Sequence, residues 1–319
     1  MKLIFRLNAG KLYGIGHLSR NLVLSTSLNK KGVQTEFIIK SDDFHFIKNF
    51  IKQNKKIDYE LIQDSISTVE DLNIIKEKCI ESKFLIIDHY EHNNTYYNFL
   101  KKNNIKWAQY DHGANKKIFS DVVINPNLGF SESDYKNLVS NKTIICAGNK
   151  YLLINKSIRK ISNNNASKKN ILIAMGGGNY PEKVRGFIKK IVNNISKNFI
   201  IISSDIEIKK IKKENVSIFF GKLNFKRLYS NLSFALVSGG VTSQEMAFLN
   251  IPMLIFPYSS NQKFNAENLT KMGYGEIIDS NFSMKEFNCN NLKIRKNKFI
   301  DGKGSDRLAN LIRNFLLNA

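Results

Sequence analysis

A short turn near the amino end combines residues that can bind an anion with one that can move a proton. It reads Gly14-Ile15-Gly16-His17-Leu18-Ser19-Arg20. The turn follows the apolar run Leu3-Ile4-Phe5-Arg6-Leu7 and opens a segment with Leu18, Leu22, Leu24 and Leu28 at helical spacing. Glycines at a strand-to-helix turn let a ligand approach the backbone, and the free N–H groups of a helix start face an anion. A histidine in the first helical turn feels a dipole that disfavours its charged form, which suits a general base. Gly14 and Gly16 are therefore candidate phosphate neighbours and His17 a candidate base.

Five further clusters are candidates. Asp88-His89-Tyr90 closes the apolar run Phe84–Ile87, and Tyr110-Asp111-His112-Gly113 closes Lys106–Gln109. Taken alone, Asp88 reads as a helix or loop cap ahead of a catalytic role, and Tyr90 as an aromatic at a core edge. Arg20 reads equally as a surface side chain or as a partner for Asp88. His45 and His92 fall in helical stretches and read as surface residues. Later, Val237-Ser238-Gly239-Gly240-Val241-Thr242-Ser243-Gln244-Glu245 again runs from strand through glycines into helix. Gly239, Gly240, Thr242 and Ser243 suit a diphosphate. Glu245, one turn further, suits ribose hydroxyls, or else is an ordinary surface side chain. The loop Gly176-Gly177-Gly178 reads as a phosphate neighbour or a simple turn, and Asn261-Gln262, ahead of another helical segment, as a helix cap.

The elements that must hold these clusters alternate. Strands are expected at 2–7, 35–40, 84–88, 106–110 and 121–125, with helices such as 69–79 and 95–102 between them. Asn125-Pro126-Asn127-Leu128-Gly129 ends the first rhythm. The polar run from Lys160 to Lys169 reads as a linker. A second series follows, with strands at 171–175, 199–203, 216–219, 235–237 and 253–256 and a closing helix near 305–317. This predicts an α/β chain of two doubly wound, Rossmann-like domains, 1–160 and 168–319, facing each other across a cleft, with ligands at the carboxyl ends of the strands.

Composition narrows the class. No apolar run is long enough for a membrane span, and the start is too soon interrupted for a signal peptide. Three cysteines, Cys79, Cys146 and Cys289, are too scattered for a disulfide framework or a metal site. A cytoplasmic location is expected. The net charge of +22 favours an acidic partner, but the lysines are spread along the chain and no nucleic-acid-binding motif occurs, so nucleic acid is not expected. Asp42-Asp43 reads as a helix cap, and no acidic pair suggests a metal. Neither metal nor cofactor is expected.

In this order the motifs resemble the UDP-2,4-diacetamido-2,4,6-trideoxy-β-L-altropyranose hydrolase family of pseudaminic acid biosynthesis, which is GT-B-like. Arg6, Gly14, Gly16, His17 and Arg20 match its R-x-D…IG-x-GH-x-x-R pattern, followed by Asn21-Leu22-Val23-Leu24. Ile86–Tyr90 match I-I-D-H-Y, Met175-Gly176-Gly177 match M-G-G, and Ser238 to Glu245 and Asn261-Gln262 match the later turn and N-Q pair. The match extends roughly to residue 275; the later glycine turn is shared with peptidoglycan N-acetylglucosaminyltransferase. Three positions depart: Asn8 replaces an Asp, Asp111-His112 stands where two acidic residues are usual, and Gly178-Asn179 stands where Thr or Ser followed by Asp is common. The resemblance implies inverting hydrolysis of a UDP-sugar, with His17 activating water, Gly239–Ser243 stabilising the departing UDP, Glu245 on the ribose, and Tyr90 and Asn261 positioning sugar or diphosphate. It also implies that the last helix crosses back to the first domain. A UDP-sugar-dependent glycosyltransferase and a non-catalytic sugar-nucleotide or polyanion-binding protein are the alternatives.

Overall fold

Parallel strands buried on both faces need continuous apolar runs, and the chain supplies them twice. The computed structural model describes residues 1–54, 56–82, 84–161, 169–282 and 299–318. Most of the expected linker, Cys289 and much of the tail after residue 276 lie outside these. The chain divides into two compact units, Met1–Leu153 with Lys303–Ala319, and Ile154–Gly302.

In the first unit the strands are β1 (Lys2–Asn8), β2 (Gln34–Ser41), β3 (Asp58–Gln63), β4 (Phe84–Asp88), β5 (Lys106–Tyr110), β6 (Val122–Asn125) and β7 (Ile144–Ala147). The helices among them are α1 (Gly16–Asn29), α2 (Phe44–Asn54), α3 (Thr68–Lys78) and α4 (Asn94–Lys102). The sheet is wholly parallel, in the order β3-β2-β1-β4-β5-β6-β7. Strand order therefore reverses between β1 and β4, and loops leaving the carboxyl ends of those neighbours diverge to open a crevice. The glycine turn follows β1 and Asp88 ends β4, so both lie at that reversal.

The second unit repeats the scheme with β8 (Asn170–Ala174), α5 (Glu182–Asn194), β9 (Asn198–Ile202), α6 (Ile206–Lys209), β10 (Val216–Phe219), α7 (Phe225–Tyr229), β11 (Leu232–Val237), α8 (Val241–Phe248), β12 (Met253–Ile255), α9 (Ser260–Lys271) and β13 (Gly275–Ile277). Its sheet runs β10-β9-β8-β11-β12-β13, again parallel. Here the order reverses between β8 and β11, the strands that precede Gly176 and Gly239. The last helix, α10 (Gly304–Asn318), belongs to the first unit. There Ser27 of α1 donates to Asp306 at 3.0 Å, and Phe315 packs on Phe84 with ring centroids 5.1 Å apart.

Three expected features shift. Strands β3, β7 and β13 were not anticipated, and β7 continues the sheet beyond the Asn125–Gly129 segment. Asp121 precedes β6, where its carboxylate accepts from the Trp107 amide at 3.0 Å. His92 lies ahead of α4, half-buried, with Nδ1 2.6 Å from the Tyr97 hydroxyl. Asp43 does cap α2, accepting from the Phe46 amide at 2.9 Å, and His45 is exposed on that helix.

One charged side chain interrupts the apolar centre of β1. Arg6 is completely buried and meets Asp71 of α3 through two bonds, Nε to Oδ1 at 2.8 Å and Nη2 to Oδ2 at 2.9 Å. The Tyr96 hydroxyl also donates to Asp71, and Arg6 Nη1 donates to Asn8 Oδ1 at 2.8 Å. Removing one member of such a pair leaves an uncompensated buried charge. Arg6→Met should thus lower stability by about 3–5 kcal/mol, and adding Asp71→Leu should restore part of the loss. Urea unfolding of both variants checks this; equal stability of the single and double variants would contradict it.

Candidate functional site

At the reversal in the first unit, the buried Asp88 carboxylate gathers three residues of α1. Its Oδ1 lies 2.7 Å from His17 Nδ1. Arg20 Nε donates to Oδ2 at 2.7 Å and Arg20 Nη2 to Oδ1. Asn21 Nδ2 donates to Oδ2 at 2.5 Å and also to the His17 carbonyl at 2.9 Å. Helical geometry explains the convergence, since residues three and four apart share a face, and His17, Arg20 and Asn21 have that spacing. Asp88 is therefore no helix or loop cap, and Arg20 is no plain surface residue. The spacing of Asn21 from His17 was the available signal for Asn21, which had been noted only as part of a motif.

Burial opposes ionisation of Asp88, yet the Arg20 guanidinium and His17 hold its carboxyl well below the usual range. An ionised carboxylate only accepts hydrogen bonds. Arg20 Nη2 also lies 3.2 Å from Nδ1, but the carboxylate is nearer, at 2.7 Å, and cannot donate, so in its uncharged form His17 carries its proton on Nδ1 and donates it to Asp88. This leaves Nε2 with a lone pair and no hydrogen-bond partner among the described residues. The His17 side chain keeps 13% of its surface exposed. Tyr90, 57% exposed, lies edge-on to the His17 ring, with centroids 5.3 Å apart. Arg20 also stacks over the Tyr110 ring, 4.4 Å from its centroid.

The glycines of this turn have separate reasons. Gly14 has φ +74°, a conformation that favours glycine, and its carbonyl accepts from the Gly10 amide at 3.1 Å. A Cβ on Gly16 would meet nothing within 4 Å, so the start of α1 is open. No side chain caps that helix and its first turn has no acidic residue, which leaves backbone N–H groups for an anion.

In the second unit, α8 also starts without a side-chain cap or an acidic first turn. Gly240 is its cap residue, and Thr242 is half-exposed in the first turn. Ser243 Oγ donates to the Gly240 carbonyl at 2.6 Å. A Cβ on Gly239 would stand 2.3 Å from the Gln262 carbonyl, so this glycine admits the close passage of α9. Asn265 of α9 donates to the Gly239 carbonyl at 2.7 Å, a contact to the glycine turn that the motifs did not point to. Asn261 and Gln262 lie inside the first turn of α9 rather than ahead of it. Gln262 Oε1 accepts from the Tyr258 amide at 3.2 Å, and the Asn261 side chain lies outside the described part. Gly176 has φ +118°, and its carbonyl accepts from the Tyr180 hydroxyl at 2.9 Å. The Gly177 carbonyl accepts from Ser204 at 3.0 Å.

Glu245 is buried, 8% exposed, and not an ordinary surface side chain. Burial pushes its carboxyl up to about 7, partly offset by the Tyr229 hydroxyl, which donates to Oε2 at 3.2 Å. Among the described residues no cluster of metal-binding side chains occurs and no helix is long and apolar enough to cross a membrane.

No protein-family model matches the chain. It is 28% identical over 285 residues to the UDP-2,4-diacetamido-2,4,6-trideoxy-β-L-altropyranose hydrolase of Campylobacter jejuni, covering 86% of this chain and 98% of that one. The resemblance read from the motifs thus extends over most of both proteins. It is 30% identical over 171 residues to a UDP-N-acetylglucosamine–N-acetylmuramyl-(pentapeptide) pyrophosphoryl-undecaprenol N-acetylglucosamine transferase of Thermosipho africanus, covering 52% of this chain and 47% of that one. Among solved structures, the UDP-GlcNAc 2-epimerase of Neisseria meningitidis bound to UDP-GlcNAc superposes with a TM-score of 0.62 over all of both chains, at 14% identity. That likeness establishes the GT-B-like fold. Each of these three proteins is named for a UDP-linked sugar.

The Glu245 carboxyl makes stability depend on pH. The folded state holds this proton more tightly than the unfolded state, where the ordinary value near 4.5 applies. Its contribution is full below 4.5 and is lost as pH rises through about 7, a difference on the order of 3 kcal/mol. Glu245→Gln cannot ionise and should flatten the fall in stability between pH 5 and 8. Urea unfolding across that range decides; parallel curves for the two proteins would refute this cause.

Proposed function

We propose that this protein hydrolyses a UDP-linked diacetamido-trideoxy sugar, releasing UDP and the free sugar. The observation that carries the reading is His17. Its Nδ1 proton is committed to Asp88, so Nε2 can accept a proton, at the sheet reversal where such folds bind ligands. His17 Nε2 takes a proton from water as the water oxygen bonds to the anomeric carbon. The bond from that carbon to the diphosphate oxygen breaks, and UDP leaves with the electron pair. Attack opposite the leaving group inverts the anomeric configuration. Asp88 stabilises the imidazolium that forms, and Arg20 and Asn21 hold Asp88 in place.

The second unit is assigned the nucleotide. The uncapped start of α8, with the backbone N–H groups of its first turn and the Thr242 hydroxyl, offers donors to a diphosphate whose charge rises as the bond breaks, while Ser243, buried and bonded to the Gly240 carbonyl, braces that turn. Glu245 is assigned the ribose, and Gly176, Gly177 and Gln262 shape the surrounding loops. Asn261 is assigned to positioning of sugar or diphosphate, and Tyr90 to the wall beside His17. The similarity to the hydrolase over nearly its full length supports the choice of water as acceptor. The similarity of half of the chain to an N-acetylglucosamine transferase favours a second reading, in which His17 deprotonates an acceptor hydroxyl.

Incubation with UDP-2,4-diacetamido-2,4,6-trideoxy-β-L-altropyranose, without acceptor or added metal, should release UDP and free sugar in equal amounts by NMR. His17→Asn should lower kcat at least about 100-fold. Asp88→Asn, which presents a donor to His17 Nδ1 and favours the wrong tautomer, should lower it by about 10²–10⁴-fold. Circular dichroism checks that each variant folds. Release of UDP only when an acceptor is added would select the transferase, and a fully active His17→Asn would remove His17 from the mechanism.

A further inference from the structure

His112 belongs to the same group of rings as His17 and is not used by the chemistry above. Its ring centroid lies 5.3 Å from that of Tyr90 and 6.3 Å from that of His17. The loop that carries it is tightly held. Asp111 Oδ2 accepts from the Gly113 and Ala114 amides at 3.2 and 2.8 Å and from the Tyr135 hydroxyl at 2.6 Å, and Tyr135 is fully buried. His112 is therefore presented from a fixed backbone.

Its protonation follows from its partner. Arg20 Nη2 lies 3.2 Å from His112 Nε2, and a guanidinium can only donate. Nε2 must then be the acceptor, and the proton of the ring sits on Nδ1. Burial, reinforced by the Arg20 charge, lowers the His112 pKa to about 3, so the ring is neutral at any ordinary pH. Among the described residues Nδ1 has no hydrogen-bond partner. The half-buried ring thus presents, beside a candidate base, an N–H that no protein acceptor among the described residues occupies and that a ligand's acceptor atom can take.

Taking the UDP-sugar reading above as its basis, we propose that His112 selects substrate by donating from Nδ1 to the carbonyl oxygen of an acylamino group on the sugar. An acidic residue at this position would do the opposite, since a carboxylate accepts from hydroxyl, amide N–H or ammonium groups. His112 thus makes this wall of the site a donor. An amino sugar without its acyl group offers only an ammonium here, which leaves the Nδ1–H unpaired and penalises binding.

The test compares the UDP-linked 2,4-diacetamido sugar with two analogues, each with one acetamido group replaced by a free amine. Affinity is read as KM where UDP is released and as a calorimetric Kd where it is not. Absence of turnover in the wild type would therefore refute the hydrolase reading while the preference stays measurable. The wild type should bind at least one analogue about 10–100-fold more weakly than the diacetamido sugar. His112→Phe should reduce that ratio to within about threefold, and His112→Asp should favour the analogue, both with unchanged thermal unfolding. Equal ratios in the wild type and His112→Phe would overturn the proposal, as would ¹⁵N NMR showing the His112 proton on Nε2. A uniform fall in kcat with an unchanged ratio would assign His112 to holding Arg20, and would equally overturn it.

Discussion

The Asp88 carboxylate is the charge around which the first unit's site is organised. It is almost wholly buried, and an isolated carboxylate there would protonate or destabilise the fold. Three donors from one helix face prevent this, and each is put to further use by the contact. Arg20 becomes fixed over Tyr110 and within reach of His112. Asn21 ties the carboxylate to the His17 backbone. His17 receives one tautomer instead of two. A buried polar group that must be satisfied has thus determined the orientation of the side chains around it.

The two units apply the same sheet topology to different ends. Both place a glycine turn and an uncapped helix start at the point where strand order reverses. In the first unit Gly16 leaves the helix start open and the ionised Asp88 fixes the His17 tautomer. In the second Gly239 packs closely against α9 and Glu245 is buried, so a packed wall stands beside the helix start. Asn265, bonded to the Gly239 carbonyl, joins α9 to that wall.

Much of this architecture was legible because parallel strands buried on both faces leave long apolar runs, as at Phe84–Ile87 and Ile171–Ala174. The strands that escaped notice are edges or near-edges. Strand β3 mixes Asp58, Glu60 and Gln63 with its apolar residues, and β13 spans only Gly275–Ile277, so neither has a buried run to reveal it. The grouping of His17 with Arg20 was legible from helical spacing. For Asp88 the pairing with Arg20 was one of two open readings, but its role as the shared acceptor of His17, Arg20 and Asn21 was not legible, because those partners are nearly seventy positions away and an Asp after a strand also resembles a cap. For Glu245 the sequence left ribose contact and an ordinary surface side chain open, and its burial beside Tyr229 excludes the second. Gly239 looked like a ligand neighbour, but its missing side chain answers first to the Gln262 carbonyl.

Asn8 shows how one such network constrains what the chain can become. Its Nδ2 donates to Glu91 Oε1 at 3.2 Å, while Lys40 reaches Oε2 of the same carboxylate at 3.0 Å. An Asp at position 8 would keep the bond from Arg6 but bring two carboxylates together at that distance. Positions 8 and 91 are therefore coupled through one carboxylate: while Glu91 is present, a neutral donor at position 8 is favoured over a second negative charge, and a change at either position alters what the other can hold.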